Sequence, residues 1–447
     1  MERDRSVLII GAGIAGLAAA SQLAAAGVAV SILEARQRIG GRIFTVHDRT
    51  FGAPIELGAE FIHGKPPEIW DLLQEAGTTI TEVQGQSWCI ENRRLQPCNF
   101  FAQIESILAR MDDSSPDESF LEFLQRAFPN PANDAGLENA KKHAVNYVSG
   151  FNAADPGLVG IHWLVQGMRA EERIEGDRAF RARNGYHDLL EIFRRQIASL
   201  NITIRTGTVV ERVKWSSEGA EITARNQEGI LTLTSPRVLI TLPLAVLQVP
   251  VGQSGAVQFD PPLPGQKIKA LKKLEMGKVV RVVLRFRHRF WDTISPERNR
   301  TLSDMSFLFA EDEHFPTWWT TMPHKSPIIM GWAPFRFAER LAGQSESSIA
   351  QRALQSLSTL LAVDSGKLAD ELDSFHFHDW QSDPFSRGAY SYGKVGSDGA
   401  QQALAAPLEN RLFFAGEATD VSGNNGTVHG AIASGYRAAR EIIQGLH

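Results

Sequence analysis

The 447 residues carry a net charge of −5, from 46 basic and 51 acidic side chains, with 43% hydrophobic and 22% charged residues. That balance is ordinary for a soluble globular protein and argues against a nucleic-acid-binding surface, while staying compatible with a cationic substrate. The chain is too long for one compact core, so two intimately joined domains are expected.

The first expected elements form a βαβ unit. Residues 7–10 are an apolar, β-branched run of strand length, followed by Gly11, Gly13 and Gly16 at G-x-G-x-x-G spacing. An Ala-rich segment, 14–26, reads as a helix stopped by Gly27, and a second strand, 28–33, ends on Glu34. Gly11 allows the tight turn, Gly13 leaves bare backbone for a pyrophosphate, and Gly16 lets helix and strand pack closely. The helix start around Ala15 presents unpaired N–H groups and a positive dipole end to phosphates. Glu34 stands where a carboxylate accepts hydrogen bonds from an adenosine ribose. The run continues as E-A-R-Q-R-I-G-G-R, so Ala35, Arg36, Gly41 and Arg42 offer a second close backbone approach and a fixed cation, as a long cofactor needs beyond its pyrophosphate. The patterned glycines and the acid that ends the run argue against a secretory or anchoring segment. No other stretch approaches the roughly 20 apolar residues of a membrane span, so a soluble, cytoplasmic protein is expected.

Farther along, L-G-A-E-F-I-H-G contributes Gly58, Ala59, Glu60 and His63. Cys89 and Cys98 are too few for a disulfide framework and suggest a reducing compartment, with one loop-closing pair as the alternative. From about residue 112 to 177 the signals are helical and acidic. Glu171, Glu172, Glu175 and Asp177 there either steer polycations or form a solvated face. Residues 202–213, including Val210, alternate as a strand, and 232–243 continue toward a buried one. Pro261, Pro262 and Pro264 mark a crossing between domains, and a strand-rich section with Trp291, Trp318, Trp319 and Trp332 follows. Residues 411–443 read as strand, turn and helix. There Gly416 brings backbone close to a ligand, Glu417 offers an acceptor for ribityl hydroxyls, and Thr427 and Val428 open a helix with one nearly bare face. No repeats and no metal-ligand spacing are present.

F-A-G-E near the end, T-V-H-G-A before the last helix, W-Q-S-D-P-F-S-R-G-A-Y-S-Y upstream and the first sixty residues together resemble the flavin-containing amine oxidase family, most closely its polyamine oxidase and histone-lysine demethylase branch. The resemblance runs over nearly the whole chain. It implies an α/β fold, with a Rossmann-type FAD-binding domain (GR2-like) assembled from 1–85, 184–262 and 381–447. An inserted α+β substrate-binding domain would come from 86–183 and 263–380. It also implies that Val210 contacts adenine through its backbone, that Trp380 shelters the flavin edge, and that His63 positions the amine or a water. Glu60 would either meet a distal ammonium or serve structure.

Two departures bear on chemistry. Where most of the family has a lysine linked through a water to flavin N5, alignment places Arg281. Lys278, three residues away along a strand, would face the opposite side. Arg281 is the candidate water-holding cation, with a structural salt bridge as the alternative, and a permanently charged planar fork is no equivalent of lysine. Of the two tyrosines that flank the amine in monoamine oxidases, Tyr390 matches one and Thr427 takes the place of the other, leaving one aromatic wall. Ala389 stands where the flavin-bonding cysteine would be, so FAD is expected to be non-covalent.

The expected function is FAD-dependent oxidation of a primary or secondary, polyamine-like amine. A hydride would pass to N5, the imine would yield an aldehyde, and oxygen would become hydrogen peroxide. Partners would then be the small-molecule amine and oxygen, with no nucleic acid and no membrane, in a monomer or homodimer. The alternatives are an L-amino-acid oxidase using Arg387 or Arg281 for the carboxylate, and a flavin-binding scaffold with little turnover.

Overall fold

The computed structural model describes residues 5–47, 52–91, 94–129, 134–200, 202–298, 300–311 and 314–446. Its organising element is a five-stranded parallel sheet, ordered Thr203–Arg205, Ala29–Leu33, Ser6–Ile10, Val238–Ile240 and Leu412–Phe414. Strand alternation decides what covers each face. Val7, Ile9, Ile32, Leu239 and Phe413 pack under the helices Ile14–Ala25, His187–Ser199 and Val428–Gln444. Leu8, Ile10, Val238, Ile240 and Phe414 point the other way, onto Val213, Trp215 and Ile222 of a four-stranded sheet. Strands contributed by the two ends of the chain thus share one core.

Segments that look continuous in sequence divide between these two sheets. Residues 202–213 split into Thr203–Arg205 in the parallel sheet and Val209–Ser216 in the four-stranded one, with Gly207 at φ +60° between them. Pro236 likewise separates Gly229–Ser235 from Val238–Ile240.

A seven-stranded mixed sheet forms the other half, ordered Leu372–Phe377, Val279–Phe286, Ile328–Pro334, Thr317–Thr320, Met305–Phe309, Gln86–Glu91 and Arg94–Pro97. Helices Arg336–Leu341, Glu346–Leu361 and Ser365–Glu371 close one face of it. Its opposite face carries Arg281, Phe307, Trp319 and Trp332 toward the first half, where Ile55, Leu57 and Phe61 meet it. The acidic helical region resolves into Phe120–Ala127, Ala135–Phe151 and Ile161–Glu172, which join Phe100–Leu108 in a separate apolar cluster. Two short sheets cross between the halves. Ala179–Ala182 pairs with Ile62–His63 and Ile80–Glu82, and Leu274–Met276 pairs with Ser391–Gly393.

Cys89 and Cys98 are bonded to each other, the loop-closing pair that stood as the alternative to reduced cysteines. The hairpin Gln86–Glu91/Arg94–Pro97 brings them together: the Cys98 N–H donates to the Ser87 carbonyl, and the two Cα atoms lie 5.7 Å apart. Among the described residues, no helix is long and apolar enough to cross a membrane.

Candidate active site

The first glycine turn is built as its spacing suggests. Gly11 has φ +108°, and a Cβ on Gly16 would overlap the Gly11 carbonyl oxygen. The helix Ile14–Ala25 begins at Gly13 without any side-chain cap, so its first N–H groups are available to a ligand. Around Gly13 the space is open: a Cβ there would meet nothing nearer than the Gly41 Cα at 4.0 Å.

Two cavities meet at this turn. A small one of about 80 Å³ is lined by Gly11, Gly13, Glu34, Ala35, Arg36 and Val210. A large one of about 1850 Å³ begins at Ala15, and Arg42 and Thr241 line both. Gly58, Ala59, Glu60, His63, Arg281, Trp380, Tyr390, Gly416, Glu417, Thr427 and Val428 are all on the wall of the large cavity. The residues fit an extended dinucleotide carrying a large ring. A narrow compartment ends at an acid, an uncapped helix start lies at the junction, and a wide chamber lies beyond. Two buried nitrogens of that chamber, Arg281 Nε and His429 Nε2, have no hydrogen-bond partner among the described residues.

Several carboxylates expected to face ligands are already engaged. Glu34 accepts from the Ala12 N–H at 2.8 Å and the Arg36 N–H at 2.9 Å, so it shapes the turn and keeps only spare lone pairs for a ribose. Glu417 is held by Arg42 at 2.8 Å, Ser391 Oγ at 2.6 Å and the Gly426 N–H at 2.9 Å, so it too keeps only spare acceptor capacity for a ribityl hydroxyl. Arg42 also donates to the Ala389 carbonyl at 2.8 Å. Arg36 is committed to Asp383 and Ser386 and stacks near Trp380 and Phe385. The Trp380 indole donates to the Leu57 carbonyl. Val210 is buried beside an irregularity in its strand pairing, between Val210 and Arg212.

Glu60 is not available to a distal ammonium. Its oxygens take Arg181 Nε at 2.7 Å, Arg281 Nη2 at 2.5 Å and Trp319 Nε1 at 3.0 Å. Arg281 therefore makes a buried ion pair and also donates to the Gly58 carbonyl at 2.8 Å, while remaining on the cavity wall. Lys278 projects away and pairs with Glu339, both half-exposed. Thr427 lies on the cavity wall with its hydroxyl engaged as well. Its hydroxyl donates to the Asn424 carbonyl and accepts from the Gly430 N–H, so it caps the last helix and has no hydrogen to give a substrate.

The chamber is aromatic. The Tyr390 hydroxyl donates to the Phe151 carbonyl at 2.7 Å, and Phe151 stacks on Tyr147 and meets His63 edge-on. Phe61 links His63 to Trp319. Burial pushes His63 down to about 4 and His429 to about 3, so both imidazoles are neutral. Sequence reasoning passed over His429, Thr241, Tyr147, Phe151 and Arg181. Their signals are a second helical position facing inward and strand ends beside a glycine turn, legible only once the glycines fix the frame.

The acidic group also divides. Glu175 pairs with Lys65 and Arg178, and Glu82 pairs with Arg178. Glu171, at the end of Ile161–Glu172, lies on the cavity wall with its carboxylate in no hydrogen bond or ion pair among the described residues, and burial pushes its carboxyl up to about 7.

Comparison with known proteins agrees with this geometry. The family model described as flavin containing amine oxidoreductase matches residues 14–87 and 91–443. Polyamine oxidase 2 of Arabidopsis thaliana is 27% identical over 98% of this chain and 88% of its own length. Lysine-specific histone demethylase 2 of Homo sapiens is also 27% identical over 98% of this chain, but over only 53% of its own length. Among solved structures, putrescine oxidase bound to putrescine superposes with TM-score 0.80 at 21% identity, covering 98% of this chain and 99% of that one. Cyclohexylamine oxidase from Brevibacterium oxydans IH-35A gives 0.76 at 19%, covering 98% of both.

Proposed function

The chain belongs to the flavin containing amine oxidoreductase family and is an FAD-dependent amine oxidase, and from that premise we propose that its substrate is an amine carrying a second cationic group, in the manner of a di- or polyamine. One observation carries the reading. Glu171 is a half-buried carboxylate on the wall of an aromatic chamber with no hydrogen bond or ion pair among the described residues, whereas Glu60 and Glu417 on that wall are already neutralised and Glu172 and Asp177 are exposed. An incoming ammonium would restore its charge and satisfy it. That relatives are polyamine oxidases and that a similar fold binds putrescine supports the same reading.

FAD held along the glycine turns by Gly11, Gly13, Arg42 and Thr241 would supply the two-electron acceptor for oxidation of the amine; water would hydrolyse the resulting imine to an aldehyde and the released amine or ammonia, and oxygen would take up the electrons as hydrogen peroxide. The protein's own part is positional. Tyr390, anchored through Phe151, is the aromatic wall beside which the reacting amine lies. Neutral His63 adds polarity without opposing a cation. The buried aromatic lining excludes water and favours the uncharged amine that hydride loss requires. Arg281 holds a fixed positive charge on the facing wall. FAD is held without a covalent bond, because Ala389 offers no thiol.

An L-amino-acid oxidase needs a cation for the substrate carboxylate. Arg387 donates to the Ser254 carbonyl and is not on the cavity wall, and Arg281 is paired with Glu60, so the geometry favours the amine. Anaerobic bleaching of the flavin by putrescine, spermidine, tyramine and tryptophan separates the readings. The polyamines should bleach it fastest, and Glu171→Gln should raise KM for them roughly tenfold or more, the worth of one charge-assisted hydrogen bond, with tyramine little changed. Bleaching by tryptophan alone would establish the amino-acid oxidase, and no bleaching at all the scaffold.

A further inference from the structure

The wall of the chamber formed by strand Val279–Phe286 holds a buried ion cluster that joins the two halves of the molecule. Arg281 donates Nη1 to the Gly58 carbonyl and Nη2 to Glu60. The other Glu60 oxygen receives Arg181 Nε, while Arg181 spends Nη1 on the Met322 carbonyl and Nη2 on the Thr320 carbonyl. The Trp319 indole closes the set from the side, its ring 5.4 Å from the Arg281 guanidinium. Side-chain exposures are 5% for Arg281, 6% for Glu60 and 17% for Arg181. Two cations share Glu60 in a medium where charges are poorly screened, and the other acid that acts on Arg281, Glu56, is held protonated by burial up to about pH 7, so below that pH the cluster keeps an excess of positive charge. Each Arg181 nitrogen has a partner, whereas Arg281 retains one buried nitrogen, Nε, without any among the described residues.

We propose that Glu60 is a positioning residue for Arg281, and that the triad Arg281–Glu60–Arg181, rather than Arg281 alone, sets the positive potential on the flavin ring. A guanidinium tied through both terminal nitrogens presents its remaining Nε–H in one direction only. Glu60 fixes that direction and removes part of the charge, and Arg181 restores it from behind. The inference rests on the ring lying against this wall, as the proposed function requires.

Sulfite reports the potential without turnover. Its sulfur lone pair bonds to N5 of oxidised flavin and leaves the ring negatively charged, so its affinity rises with nearby positive charge. In FAD-loaded protein, Glu60→Gln should tighten sulfite binding about fivefold or more and raise the flavin midpoint potential, whereas Arg181→Met should weaken and lower them by a similar factor. Arg181→Lys should stay near the parent. Opposite signs are the signature: a merely structural ion pair would lower Tm in both variants and leave sulfite affinity within about twofold, which overturns the proposal. If Glu60→Gln does not retain FAD, Arg181→Met decides alone. Arg281→Met separates this failure from the other one. Unchanged sulfite affinity in that variant means the ring does not lie at this wall, whereas weakened affinity there with no effect at Glu60 and Arg181 removes the triad only.

Discussion

Tyr390 and Phe151 are joined across the chamber by a single hydrogen bond, from the phenol to a backbone carbonyl at the last residue of the helix Ala135–Phe151, 2.7 Å long. The residue matched to the family's aromatic wall is thereby held by a helix that packs apart from the glycine turns. Its ring also sits over Gly426, where a Cβ would come within 3.2 Å.

Tyr390→Phe should keep the wall but release the anchor, costing about 1 kcal/mol of stability and slowing flavin reduction only a few-fold. Tyr390→Ala should slow anaerobic reduction by the amine about tenfold or more with FAD still bound. Stopped-flow absorbance measures both, and equal, small effects would remove Tyr390 from the site. Tyr392, two residues on, is buried in a different apolar cluster, so changing it should act through stability instead.

Gly13→Leu places a side chain in the open space beside the uncapped helix start. The protein should fold, with unaltered far-ultraviolet circular dichroism, and purify without flavin. Full flavin occupancy would dismiss the phosphate-turn assignment. In the parent, acid precipitation should leave all the flavin in the supernatant, as Ala389 demands.

Glu56 should give the protein a stability that falls between acid and alkaline conditions. Burial raises its carboxyl to about 7, against the opposing hydrogen bonds from Thr45 and the Tyr186 N–H. The folded chain therefore holds a proton that the unfolded chain releases near 4.5. The contribution is complete below the unfolded value and is lost as pH rises through about 7, reaching on the order of 3 kcal/mol. Glu56→Gln keeps the neutral form at every pH, so between about pH 5.5 and about pH 8.5 it should lose less stability than the parent by roughly 2 kcal/mol. Parallel denaturation curves for the two proteins would refute this.

Arg281→Met should slow reoxidation of reduced flavin by oxygen more than it slows reduction by amine, since a fixed charge stabilises superoxide as it forms and such preorganised charge is worth several kcal/mol. Arg281→Lys should keep or raise the oxidase rate. Rapid mixing of each half-reaction distinguishes the steps. A variant that reoxidises normally but melts earlier would reduce Arg281 to its ion pair with Glu60.

Much of the fold is carried by local chemistry. The alternation in residues 7–10, the positive φ required at Gly11 and the space required at Gly16 specify a strand, turn and helix without reference to the rest of the chain. So the sequence by itself determines the dinucleotide turn, the family and the presence of a second α+β half. Where its strands go is not local: residues 202–213 alternate without a break, yet one glycine turn sends their two parts into different sheets. The partners of the charged residues depend still more on distance. Glu60 and Arg281 are 221 residues apart, and Arg42 and Glu417 are 375 apart. A carboxylate's identity is written in the sequence, but whether it meets a ligand depends on which donors reach it first. At Glu34, Glu60 and Glu417 those donors are supplied by the protein, and at Glu171 none is among the described residues. Only the tertiary structure decides that, because desolvation forces each buried charge to find its partner wherever packing brings one.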